Sequence, residues 1–153
     1  MNKILTELLF KIKTKLSFKN EINSKVSKSS VGWHLDHALK VINTVSEKTI
    51  HSNPKDYKSS FNFKQWLILK LGFFPRGKAK APKIVLPPKT ILEAEIQQQL
   101  QTAKANIEKL EKCPVNAYFI HPLFGMLNKK QTLRFLQIHT NHHLKIVNDI
   151  LNQ

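Results

Sequence analysis

The chain has 153 residues, 41% of them hydrophobic, enough for a single domain (1–153) with a core of its own, and this excludes a disordered polymer. No apolar run approaches the ~20 residues that a spanning helix needs, so no membrane span is expected. Twenty-five Lys+Arg against ten Asp+Glu leave a net charge of +15, which attracts polyanions. The lysines, however, are spread over every segment and no recognisable motif accompanies them, so nucleic acid is not the expected partner.

Met1 to Phe18 places Ile4, Leu5, Leu8, Leu9, Ile12 and Leu16 at helical spacing. Lysines run through it and no small-residue cleavage site follows it, so it reads as an amphipathic helix and not a signal peptide. Ser29 and Ser30 introduce a second helix, from about Val31 to Thr49, with a buried stripe of Val31, Leu35, Ala38, Ile42, Val45 and Thr49. Phe61 to Phe74 forms a short, very apolar helical stretch that suits a lid or a homodimer contact, and packing onto its own bundle is expected. Pro75 to Pro88 is a basic, proline-rich loop.

Within that region Gly72-Phe-Phe-Pro-Arg-Gly77-Lys78 imitates the start of a phosphate-binding loop. Ala79 stands where Ser or Thr is required, the preceding residues look helical, and Pro82 stops a following helix, so the pattern is rejected. Arg76, Lys78, Lys80 and Lys83 read as a solvated loop before they read as an anion site. A third long helix follows Pro87-Pro88, with Thr90 as its cap and Leu92, Ile96, Leu100, Ala103, Ile107 and Leu110 in the core. A fourth spans about Lys129 to Leu151, with Leu133, Leu136, Thr140, Leu144, Val147 and Leu151 inward. Only four glycines and few alternating β-branched runs leave little room for a sheet. The expected fold is all-α: a four-helix bundle with the short extra helix and basic loop between its second and third helices. The single cysteine, Cys113, makes no internal disulfide, which suits a reducing cytoplasm, and nothing beside it lowers its pKa, which suits a packing role.

Six of the seven histidines fall in three places: His34 and His37, His121, and the run His139-Thr-Asn-His142-His143. One helical turn separates His139 from His143, so both project from one face at chelating distance. At ~100° per residue His143 lies near the centre of the buried stripe, His139 at its edge, and His142 about 130° away, facing out. Two adjacent buried imidazoles need hydrogen-bond partners or a shared metal. For a third ligand the second helix offers His34 and His37. Periodicity slightly favours His34, and geometry alone leaves both open.

Two segments resemble the DinB-like superfamily of four-helix bundles with a three-histidine metal site. Ser30-Val-Gly-Trp-His-Leu-Asp-His37 is similar to the start of that family's second helix, where a capping Ser or Thr precedes the ligand by seven residues. His121-Pro-Leu-Phe-Gly125, followed by His139-Thr-Asn-His-His143-Leu, is similar to the HP-x-FG and H-x-x-HH-L pattern of one largely uncharacterised branch. The motifs cover about forty residues, while the helical order extends over nearly the whole chain. The resemblance implies His37, His139 and His143 as ligands, with His34 as the substitute.

Three neutral imidazoles suit a divalent borderline ion such as Zn²⁺, Ni²⁺ or Fe²⁺ and leave a coordination position for water or a small-molecule substrate. The resemblance implies a metal-dependent enzyme using a low-molecular-weight thiol, such as a transferase. Metal-dependent hydrolysis is the alternative, and a non-catalytic metal-binding or nucleic-acid-binding bundle is the rival of another class. No HExxH motif supplies a general base. Asp36 lies beside the ligands, but periodicity turns it to solvent, which weighs toward thiol chemistry. Trp33, His121, Phe124 and Gln99 are candidates to line the site. His121 reads first as a capping or hydrogen-bonding residue, and no catalytic residue is assigned.

Overall fold

A computed structural model of the chain describes residues 2–77 and 81–152. Among these residues five α-helices and one two-stranded sheet are formed. The helices are α1 (Lys3–Thr14), α2 (Val31–Ile50), α3 (Phe63–Leu71), α4 (Glu93–Lys112) and α5 (Lys129–Leu151). Between α4 and α5 stand the strands β1 (Tyr118–His121) and β2 (Gly125–Asn128). Lys78 and Lys80, two of the four cations weighed as an anion site, lie outside the described residues.

Each long helix begins or packs for a local reason. Asn2 caps α1 by accepting from the Leu5 amide at 3.1 Å, and Ser30 caps α2 by accepting from Trp33 at 3.3 Å. A reciprocal capping box starts α5: Asn128 accepts from the Gln131 amide, and the Gln131 side chain accepts from the Asn128 amide, both at 3.0 Å. The apolar stripes of α2, α4 and α5 bury Leu35, Ile42, Ile96, Ile107, Leu136 and Val147, and α2 lies against both α4 and α5. The other side of α4 and α5 is covered by α1 through Leu5, Leu8, Leu9 and Ile12. Helix α2 thereby becomes the central element, buried enough to carry functional side chains out of solvent.

Four expectations need correction. The all-α reading missed the hairpin. Tyr118, Phe119 and Ile120 are good strand formers, and they pair antiparallel with Asn128, Leu127 and Met126. Its turn is closed by Gly125 at φ +70°. Four-residue strands are too short to display a period, so the segment is silent to pattern reading. Thr90 does not cap α4, which starts at Glu93 after Leu92, and Leu92 is exposed, not in the core. Lastly, Phe61 to Phe74 yields only the nine-residue α3, whose one buried residue is Gln65. Ile68, Leu69 and Phe74 pack against the core as expected, while Phe61, Phe63, Trp66, Leu71 and Phe73 are exposed.

Candidate metal centre

The second helix presents Trp33, His34, Asp36 and His37 within its first two turns, directly opposite the middle of α5. The one-turn repeat of α5 aims His139 and His143 back at them. Nitrogens of His37, His139 and His143 all lie within 4.8 Å of one another, so one ion could be held by the three. Ring centroids are 4.7 Å apart for His37–His143 and His139–His143, and 5.2 Å for His37–His139. His37 and His143 are buried, and His139 is of intermediate exposure as a residue.

Hydrogen bonding sorts the ring nitrogens. His37 Nδ1 lies 2.8 Å from the Val85 carbonyl, which can only accept, so this nitrogen carries the proton and Nε2 keeps a free lone pair. The carbonyl belongs to the short 3₁₀ turn Lys83–Val85, with the Val85 side chain buried beneath it. His139 Nδ1 is sealed from solvent and has no hydrogen-bond partner among the described residues, an arrangement that costs free energy unless something satisfies it. A metal bound at Nδ1 would satisfy that atom, and the donor set of three neutral imidazoles suits a divalent borderline ion.

His34 stands behind the cluster. Its Nδ1 lies 3.0 Å from His143 Nδ1, and its Nε2 lies 3.0 Å from Ser27 Oγ. Either direction of donation fits these distances; in the one that leaves Nε2 of His143 free for a cation, His143 Nδ1–H donates to His34 Nδ1 and His34 Nε2–H donates to Ser27. The periodicity that turned His34 inward was therefore right, yet its partner is His143 and the third member of the cluster is His37.

Burial lowers the pKa of every ring in the group. His34 falls from 6.5 to about 4, first through desolvation and then through its histidine neighbours and Arg76. His139 and His143 are held well below 6.5 by desolvation, reinforced by adjacent imidazoles. Desolvation also lowers His37, partly opposed by its bond to Val85 and by Asp36. All are thus neutral at pH 7, the form that offers a lone pair to a cation.

Aromatic rings wall the cluster. Trp33 stacks on His37 at 5.0 Å and meets His34 edge-on at 5.1 Å. Phe74 lies edge-on to His139 and His142 at 6.1 and 6.0 Å, and Phe135 lies 5.7 Å from His139. Contact with Phe74 corrects the outward reading of His142, which is half-buried. His121, at the end of β1, is outside the cluster. It stacks on the buried Phe124 at 4.2 Å, and its Nδ1 accepts from the Leu123 amide at 3.1 Å, closing the hairpin turn.

Asp36 also departs from expectation. It is 1% exposed, 2.8 Å from Lys40 Nζ and 2.7 Å from Gln99 Nε2, which donates to it. The stripe argument failed there because α4 covers a second face of α2, and Gln99 comes from that helix. Val85 and Phe74, which hold the cluster from the intervening loop, carried no sequence signal beyond being apolar residues in a basic stretch.

A mainly helical chain that gathers three histidines from two crossing helices defines the class: a helical protein with a candidate metal centre. More particularly, the chain belongs to the family described as protein of unknown function (DUF1569), whose model matches residues 15–150 and so includes every residue of the cluster. No curated protein and no solved structure matches the chain.

Proposed function

We propose that this protein binds a divalent ion through His37, His139 and His143, and that it is a DinB-like four-helix bundle of α1, α2, α4 and α5. The observation that carries the reading is the convergence of ring nitrogens from three neutral histidines of α2 and α5. Zn²⁺, Ni²⁺ and Fe²⁺ suit that donor set. Three protein ligands leave room for an exogenous one.

The reaction class we favour is transfer to or from a small thiol. When bound, the ion would supply a Lewis acid that holds such a thiol as its thiolate. The chain's own residues do the rest. Val85 and His34 fix the orientation of His37 and His143, while Trp33, Phe74 and Phe135 keep water from the buried side. Asp36, the carboxylate next to His37, is committed to Lys40 and Gln99, which weighs against its serving as a hydrolytic base.

The test is metal content by elemental mass spectrometry on untagged protein. Wild type is expected to carry near-stoichiometric metal, and His37→Ala, His139→Ala and His143→Ala are each expected to lose it. Wild type that stays empty after reconstitution with Zn²⁺, Ni²⁺ and Fe²⁺ in turn overturns the reading. In Co²⁺-substituted protein, a sulfur-to-metal charge-transfer band on adding a small thiol supports the transferase. A spectrum indifferent to thiol redirects the search to hydrolysis or to a structural ion.

A further inference from the structure

We propose that the outer face of α3, with the turn between β1 and β2, is a docking surface for an anionic lipid bilayer. Phe61 is 80% exposed, Phe63 60%, Leu71 53%, Phe73 51%, Trp66 43% and Leu123, in the hairpin turn, 57%. The side of α3 that carries Ile68 and Leu69 packs against the core, while Phe63, Trp66 and Leu71 face out. Asn62 Nδ2 donates to the Leu123 carbonyl at 3.3 Å, which ties the start of the helix to the turn beside it. That face is held firmly from behind. Gln65, the only buried side chain of α3, donates to the Met126 carbonyl at 3.3 Å, and Arg134 Nε donates to the Leu69 carbonyl at 3.4 Å.

Charge identifies the occupant. Lysines are spread along the whole chain, but carboxylates are not: residues 57–92 contain eight Lys+Arg and no Asp or Glu. Lys58, Lys64 and Lys70 are exposed beside the apolar side chains, and Lys70 Nζ sits 4.6 Å from the centre of the Trp66 ring. A second copy docked here would bring these cations against their own kind, with a net charge of +15 on each chain. Nucleic acid would answer the charge, but Leu71 and Leu123 have no ring to offer a base, and Phe63 already stacks on Trp66 at 5.9 Å. A bilayer with anionic headgroups meets both demands. Phe61, Phe63 and Leu71 enter the acyl boundary, Trp66 sits at headgroup level, and the lysines meet lipid phosphates.

The full-length protein is tested by co-sedimentation with vesicles of phosphatidylcholine containing phosphatidylglycerol, and with pure phosphatidylcholine. Binding is expected to the first and not the second, and to fall as salt rises. The double substitution Phe63→Ser, Trp66→Ser is expected to weaken it at least about tenfold, because two large side chains no longer enter the lipid. Both residues are exposed, so far-UV circular dichroism and metal content should be unchanged, which separates this test from that of the metal centre. On binding, Trp66 emission should shift to the blue and be quenched by brominated lipid, and Trp66→Phe should remove that response. Sedimentation with neither vesicle overturns the proposal. So does binding that survives the double substitution at full strength, or a dimer or RNA complex that depends on these side chains without any vesicle binding.

Discussion

A buried imidazole held neutral makes folding sensitive to acid. In the unfolded chain these rings protonate near pH 6.5, whereas in the folded protein His34 does so only at about 4 and His37, His139 and His143 are lowered as well. Between those values the unfolded state binds more protons, so stability is complete above pH 6.5 and falls as pH falls through the window. For His34 alone the loss by pH 4 is on the order of 3 kcal/mol. Urea unfolding of metal-free protein should show a clearly lower midpoint at pH 5 than at pH 7.5, and a flat profile would contradict neutral burial. His34 makes a second test possible because it orients His143 without belonging to the three-histidine cluster. His34→Ala is expected to weaken metal binding about 10- to 100-fold while leaving its stoichiometry at one. Competition with a chromophoric chelator measures this, and an unchanged affinity would reduce His34 to packing. Residue spacing in the sequence exposed the His139–His143 pair, because one helical turn is a fixed distance. It left His34 and His37 open, because which nitrogen meets which partner depends on a loop carbonyl at Val85 and on Ser27. Neither of these has a periodic signature.

At the scale of elements, the entry into α2 sets where the histidines land. Gly32 donates its amide to the Lys19 carbonyl at 2.8 Å, tying the first turn of α2 to the turn that follows α1. A methyl group at residue 32 would stand 2.8 Å from that same oxygen and 3.1 Å from Lys19 Cβ. Helix propensity favours alanine over glycine by about 1 kcal/mol. The contact is with backbone that cannot swing away, so the clash should win: Gly32→Ala is expected to lower the unfolding midpoint, by about 1–3 kcal/mol. An increase in stability would mean that the α2 entry gives way freely. Long amphipathic helices were legible because twenty residues repeat their pattern several times; α2 and α5 emerge with the expected starts at Val31 and Lys129. Shorter elements were less legible. The strands of the hairpin show no measurable period, and the apolar composition of 61–74 does not say which of its side chains are covered.

Over the whole molecule, the cluster joins elements far apart in sequence. An ion shared by His37 of α2 and His139 and His143 of α5 would tie the central helix to the last one, while Val85 holds the intervening loop against the same place. The unfolded chain has no such preformed site, so binding free energy adds to folding free energy. At a free metal concentration a hundred times Kd the gain is about 2.7 kcal/mol. For a chain of this length each kcal/mol moves Tm by about 2–4 °C, so saturating Zn²⁺ or Ni²⁺ should raise Tm by roughly 5–10 °C. His37→Ala should abolish the rise even though it leaves both α5 histidines in place, since two ligands on one helix do not bridge two elements. If the variant still gained the full increment, the ion would be sitting on α5 alone, and the crossing of α2 and α5 would owe its stability to the apolar stripe of Leu35, Ile42, Leu136 and Val147. Mg²⁺, which prefers oxygen ligands, should leave Tm unchanged in both proteins and so separates site binding from a general effect of salt.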